Sequence, residues 1–270
     1  PRTIWYGVAA VVVLILGLSA WIGWENGRSK VAFYYDYVNV WGMPTGLDEL
    51  SRSDAQHRNG TYMFYMHRAP MGHPKAWQWI TDSLVYVDAD LKPLSTNSAI
   101  WNLPYTKQTI DYDATTGNAT AIHYFDRKGT ALYTANIEIL DFDKGYTCAT
   151  WQKEGEVNLP RIGYVWFEHD EKGYVSQQIY CKDKESYCGN LTICDDDGAY
   201  RRQFTRDGAG HVVRVDFISK DEVKRGTAAK EYEYDRHGRV IKTTLYDAEG
   251  NVAAGADYWA SVKTEHDGYG

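Results

Sequence analysis

The side chains of this sequence with the chemistry to act on a ligand are tryptophans, histidines, cysteines and closely spaced carboxylates. Trp77, Trp79, Trp101, Trp151 and Trp166 carry the large rigid rings on which a glycan or peptide can stack, and the same rings also fill sheet cores. Asp111 with Asp113, and Asp141 with Asp143, have the makings of an acid and a base for glycoside hydrolysis. Each pair lies beside a turn residue, where Asp caps backbone N–H groups, so turn capping is the preferred reading. Asp195-Asp196-Asp197-Gly198 lacks the alternation and the distal Glu of a calcium loop and reads as a solvated turn. The eight histidines show no H-x-x-x-H or H-E-x-x-H spacing, and there is no G-x-S-x-G, phosphate loop or dinucleotide fingerprint. No catalysis, cofactor or metal is expected from these residues. Asn59, Asn118 and Asn190 match glycosylation acceptors but fall among turn residues, and we treat them as chance.

Cys148, Cys181, Cys188 and Cys194 are even in number, and their spacings fit no common zinc site. Three fall within fourteen residues of one another, which suggests disulfides and an oxidising compartment. The expected pairing is Cys188 with Cys194 and Cys148 with Cys181.

Stepping outward, Thr3 to Trp24 carries no charge and, as a helix, would extend about 33 Å, enough to cross a hydrocarbon core. Trp5, Tyr6, Trp21 and Trp24 sit where an interfacial aromatic belt would. A single transmembrane helix over residues 3–24 is therefore expected. Arg2 on one side and Glu25, Arg28 and Lys30 on the other leave orientation undecided by charge. The cysteines place the C-terminal bulk outside the cytoplasm. A net charge of -7 gives no sign of a nucleic-acid face. The chain starts at Pro1 and ends in what reads as another turn, as a piece of a longer protein would.

The elements that must position any site follow a device best seen in Glu231 to Asn251, EYEYDRHGRVIKTTLYDAEGN. Tyr232 and Tyr234 alternate with Glu231 and Glu233, Asp235 to Gly238 breaks the run, and Asp247 to Gly250 breaks the next one. A D-x-x-G tetrad suits a type I turn followed by a bulge, with the Asp capping and the Gly at positive φ. It recurs at Asp113–Gly117 (one residue longer), Asp126–Gly129, Asp170–Gly173 and Asp207–Gly210; Leu91, Glu185 and Glu222 stand where Gly would. Three, five and seven residues after the glycine comes an alternating inward face: Ile241, Thr243, Leu245; Val213, Val215, Phe217; Ser176, Gln178, Tyr180; Thr120, Ile122, Tyr124. One hairpin cannot bury such a face, so neighbouring units must complete it. Thr45 or Ser53 would cap a short helix, and Asp141 to Pro160 and Cys188 to Ala199 read as inserted loops. The fold class is mainly β: an N-terminal helix, an entry region over 25–75, and an elongated antiparallel sheet of hairpin repeats over 76–270.

Units of the form Y-x-Y-D-x-x-G-x-V-x(5)-Y-D-x-x-G resemble the YD-repeat (Rhs-type) hairpins of bacterial surface and toxin proteins. The arrangement is also similar to repeat-bearing extracytoplasmic regions that follow a membrane helix in bacterial kinase-like receptors, including the Tyr34 to Leu50 entry with Trp41-Gly42-Met43-Pro44. The resemblance implies a scaffold or sensor-like surface and brings no catalytic residues. The expected function is a membrane-anchored, periplasmic or cell-surface module that binds a protein or glycan. A structural stalk or shell segment, and a cell-wall or glycan hydrolase, are the other readings.

Overall fold

The turns set the architecture. At Asp235, Oδ1 accepts the N–H groups of His237 (2.8 Å) and Arg239 (3.0 Å), and the Gly238 N–H donates to the Asp235 carbonyl (3.1 Å). Asp126, Asp170, Asp207 and Asp247 repeat the arrangement. Asp88 does too, with Leu91 taking the positive φ (60°) that glycine takes elsewhere. The sequence therefore reads correctly at this level: a carboxylate at the first position satisfies the turn's donors and fixes the hairpin.

A computed structural model of the chain describes residues 2–25, 28–98, 103–141, 143–155, 164–181, 199–218, 227–254 and 259–266. Helix α1 (Arg2–Glu25) precedes β1 (Ser29–Val40) and β2 (Met43–Leu50), and α2 (Arg52–Ala55) leads into β3 (Thr61–Arg68) and β4 (Trp79–Val87). The short β5 (Thr96–Asn97) and β6 (Pro104–Tyr105) pair with each other. A meander follows through β7 (Lys107–Tyr112), β8 (Ala119–Phe125), β9 (Ala131–Asp141), β10 (Tyr146–Lys153), β11 (Tyr164–His169) and β12 (Val175–Cys181). It continues through β13 (Arg201–Arg206), β14 (Val212–Ile218), β15 (Ala229–Tyr234), β16 (Val240–Tyr246) and β17 (Ser261–Lys263). All but β5 and β6 belong to one antiparallel sheet that ends in β3, β1 and β2. The entry region is thus part of the sheet, because β3 pairs with β4 across the expected boundary at 75–76.

Cross-strand register explains the core. Ala32, Phe64, Leu84, Gln108, Tyr124 and Tyr133 are successive partners on β1, β3, β4, β7, β8 and β9, and all six are buried. Direct partners share a face, so this row is one continuous buried stripe. Ala149, Val165 and Tyr180 form a second stripe on β10, β11 and β12. The expected inward positions Ile122, Tyr124, Gln178, Tyr180, Val215 and Leu245 are buried.

The hairpin of β1 and β2 does something the repeats do not. β1 pairs with β3 only as far as Tyr34, and from Asp36 to Val40 it runs on paired with β2, with an isolated bridge from Val40 to Tyr174. The two strands turn through Trp41 and Gly42, both at positive φ (51° and 80°), the requirement of a tight two-residue hairpin. This arm lies over the sheet. Gly42 packs beside Ile137 and Ala119, the Trp41 N–H donates to the Gly173 carbonyl (3.2 Å), and the Trp41 ring stacks on His169 (4.5 Å).

Several expectations need correction. Residues 2–25 are helical, but among the described residues no helix is long and apolar enough to cross a membrane, so the transmembrane reading of 3–24 is not found in the structure. The side chains from Val11 to Leu16 are exposed. The α2 cap is Ser51, whose Oγ accepts the Asp54 N–H (3.0 Å); Ser53 lies inside the helix and Thr45 in β2. The supposed loop from Asp141 to Pro160 contains β10, which pairs on both sides. Val212 rather than Val213 reaches the concave face, because the ladder shifts register between Thr205 and Arg206.

The disulfide between Cys148 and Cys181 does not form. Cys148 pairs with Trp166 and Trp166 with Ile179, so Cys148 and Cys181 lie two strands apart and offset along them. Two strand spacings are about 10 Å, beyond the reach of a disulfide. Cys188, Cys194, Glu185 and Glu222 lie outside the described residues.

Two glycine substitutions separate the turn from the arm. Gly250 has φ 83° and open space where a Cβ would go, so Gly250→Ala is expected to cost about 1 kcal/mol, the left-handed penalty alone. A Cβ on Gly238 (φ 75°) would collide with the Asp48 carboxylate of β2. Gly238→Ala is expected to cost at least about twice as much, as read from urea denaturation midpoints.

Candidate functional site

Between the arm and the concave face of the sheet lies a cavity of about 260 Å³. Its walls come from strands far apart in sequence: Asp36, Tyr37 and Asn39 of β1, Ile122 and Tyr124 of β8, Trp151 of β10, Phe167 of β11, Phe204 and Arg206 of β13 and Tyr234 of β15. Most of the wall is apolar or aromatic; Asp36, Arg206 and His211 form one polar end, and Asn39, Thr147, His169 and Gln178 also line it. Alternation along each repeat strand presents every second side chain to this space, which is why the wall is built from the repeats' inward face.

The polar end is organised by His211. Its Nε2 lies 2.6 Å from Asp48 Oδ2 on the arm, and its Nδ1 lies 2.9 Å from Asp207 Oδ2 in the turn before β14. Both nitrogens face carboxylates, so both donate, and the ring is an imidazolium. Burial works to lower its pKa, but the hydrogen bonds to Asp48 and Asp207 outweigh burial and raise it. Burial likewise works to raise Asp207, while the same ring holds it below the usual carboxylate range. The ring also stacks on Tyr234 at 4.8 Å. Asp48 itself sits at φ 54° and is skipped in the β1–β2 register, a strained position that aims its side chain at the ring.

Asp36 is the one carboxylate among the described cavity-lining residues. Water reaches it, yet the surrounding protein desolvates it and pushes its pKa up to about 6, against the lowering effects of the Tyr37 N–H, His211 and Arg206. Its Oδ1 accepts from the Tyr37 N–H at 2.7 Å. Arg206 donates to the carbonyls of Gly210 (2.9 Å) and Val175 (3.4 Å) and lies over the rings of Tyr174 and Phe204. At the other end, His169 is held neutral. Burial lowers its pKa, and its nitrogens meet the Gly173 carbonyl and the Thr147 hydroxyl, each at 2.9 Å.

The five tryptophans do not converge. Trp151 lines the cavity, whereas Trp166 points to the other face from its neighbour Phe167, which lines it. Trp77 stacks on Trp21 of α1 at 5.6 Å, and Trp79 carries Lys30 and Arg68 over its ring. Trp101 lies outside the described residues. Asp113 and Asp141 act as the turn reading has it, whereas Asp111 lies inside β7 and does not cap a turn. Asp113 caps Thr115 and Thr116, Asp141 caps Lys144, and Asp111 faces His123 Nε2 at 3.0 Å. Sequence reasoning passed over Asp36, Asp48, Arg206 and His211. Asp36 alone left a trace, as the single charge in the aromatic run from Val31 to Val40.

Two pH-dependent outcomes follow from the polar end. The raised pKa of His211 means its contribution is complete below about pH 6.5 and is lost as pH rises through the folded value. The depressed pKa of Asp207 means its contribution is present above about pH 4 and is lost as pH falls through the folded value. The clasp is therefore strongest between those limits, and His211→Ala should cost about 2 kcal/mol near pH 6, discounted for the partly exposed carboxylates. Asp36 has the opposite sign, because its folded pKa is raised and ionising it costs stability as pH rises through about 6. Asp36→Asn keeps an acceptor for the Tyr37 N–H and should stabilise by about 1 kcal/mol at pH 7.5, after discounting for the water that reaches it. That gain should shrink toward pH 4, as followed by denaturation midpoints across pH. No known family model matches the chain, and no curated protein matches it.

Proposed function

We propose that this chain is a non-catalytic β-repeat module that binds or senses a small ligand, or a protruding group of a larger one, in the hollow between its hairpin arm and its curled sheet. The observation that carries the reading is the cavity itself, about 260 Å³ and walled by side chains from the arm and from the repeats between β8 and β15. A concave, mostly apolar wall with aromatic rings and a few polar groups is the usual make-up of a small-molecule site.

The resemblance to YD-repeat hairpins belongs to the same proposal, as does anchoring by residues 3–24. The uncharged run of the sequence and the exposed apolar side chains from Val11 to Leu16 support anchoring. Placement outside the cytoplasm rests on the resemblance, since Cys148 and Cys181 no longer argue for it. One observation favours a hydrolase: the Asp36 carboxyl, at about 6, has the poise of a general acid. Such chemistry needs a second carboxylate, and Asp48 and Asp207 are both taken up by His211.

The test is a thermal shift of the full chain with 2-phenylethanol, a neutral probe with an aromatic body. A rise in Tm that is lost in the cavity-filling variant Ala149→Phe supports the reading. No rise with this probe or with its charged analogues, phenethylamine and 3-phenylpropionate, overturns it.

A further inference from the structure

We infer that the cavity selects organic cations, an ammonium carried on an aromatic or apolar body, with Asp36 as the group that receives the charge. This rests on the cavity being a binding site and adds the class of ligand.

Most charged groups at the polar end already have partners within the fold. His211 gives both N–H groups to Asp48 and Asp207, so its positive charge is spent on two carboxylates. Arg206 turns its two terminal nitrogens toward backbone carbonyls, at Gly210 and Val175, lies over the rings of Tyr174 and Phe204, and keeps a buried Nε that has no hydrogen-bond partner among the described residues. Arg239, the next cation along the turns, is taken by Asp235 at 2.6 Å. Asp36 has no ion-pair partner within 4 Å among the described residues, and its Oδ1 accepts from the Tyr37 N–H. Asp36, Asp48 and Asp207 against His211 and Arg206 leave one negative charge in excess, and it faces the cavity at Asp36. An anion entering here would meet that charge, and would compete with backbone carbonyls for every Arg206 nitrogen but the buried Nε. A cation would meet an acceptor with lone pairs to spare for a charge-assisted bond, at a carboxylate that water also reaches.

The remaining wall fits the rest of such a ligand. Tyr37, Tyr124, Trp151, Phe167 and Tyr234 line the cavity, so the aromatic or apolar body of a cation held at Asp36 meets aromatic side chains. Neutral amides and alcohols could hydrogen-bond to Asp36 but gain nothing from its charge. The groups that face Asp36 are His211 and Arg206 from the β13–β14 side and Asp48 from the arm; their net effect leaves its pKa raised by desolvation, to about 6. A bound ammonium would favour the ionised form, so cation affinity should fall as pH drops below about 6 while an aliphatic ammonium itself stays charged.

The experiment measures calorimetric affinities of the full chain for phenethylamine, 2-phenylethanol and 3-phenylpropionate at pH 7.5 and pH 5, in the wild type and in Asp36→Asn. The expected result at pH 7.5 is that the amine binds about tenfold or more tightly than the alcohol, and the acid more weakly than either. The amine's advantage should shrink at pH 5 and vanish in Asp36→Asn, which keeps its affinity for the alcohol and so reports an intact cavity. Equal binding of amine and alcohol, tighter binding of the acid, or an amine preference that survives Asp36→Asn would each overturn the inference while leaving the cavity as a site. Binding of none of the three would overturn both.

Discussion

His211 is held between two carboxylates that come from opposite ends of the chain, Asp48 on the arm and Asp207 in a repeat turn. The arm leaves the sheet after Tyr34, keeping its ladder with β2 and an isolated bridge from Val40 to Tyr174, so further contacts must fix it over the concave face. An imidazolium with both N–H groups bonded does so with direction as well as charge. The Trp41 N–H to Gly173 and the Trp41–His169 stack fix the arm's tip, and the Thr81 hydroxyl donates to the Pro44 carbonyl at 3.0 Å along β2. Without these contacts the sheet would keep its hairpins but lose the roof of its cavity.

The turns make that clasp possible. Each D-x-x-G tetrad satisfies its own donors and ends in a register shift, so successive hairpins emerge with their inward side chains on one face. The glycines add a second property, absence of bulk. Gly173, Gly210 and Gly238 lie along the arm, beside Trp41, Leu47 and Asp48 respectively, and a side chain at Gly173 or Gly238 would push the arm away. The same residue type that permits the turn therefore permits the approach of β2.

Strain and cost gather at the same place. Trp41 and Asp48 both take positive φ without being glycine, and Asp36 carries a charge that its surroundings disfavour. A sheet held by cross-strand rows such as Ala32–Phe64–Leu84–Gln108–Tyr124–Tyr133 has stability to spend on such positions. Of these groups Asp36 lines the cavity, while Trp41 and Asp48 hold the arm over it.

What the sequence determined by itself is local. The caps at Asp126, Asp170, Asp207, Asp235 and Asp247 are set by hydrogen bonds spanning four residues, and alternation sets which side chains of Val240 to Tyr246 share a face, so the turns, the hairpins and the mainly β class were legible. What only the tertiary structure decided depends on which way the sheet curls and where the arm goes. Asp48 and His211 are 163 residues apart, and nothing near either one in the chain marks the other as its partner. The cysteine pairing failed for the same reason: evenness and proximity in sequence say nothing of register, and register puts Cys148 and Cys181 two strands apart. Asp36 was visible as an odd charge in an aromatic strand, but its raised pKa comes from residues that only the folded chain brings around it.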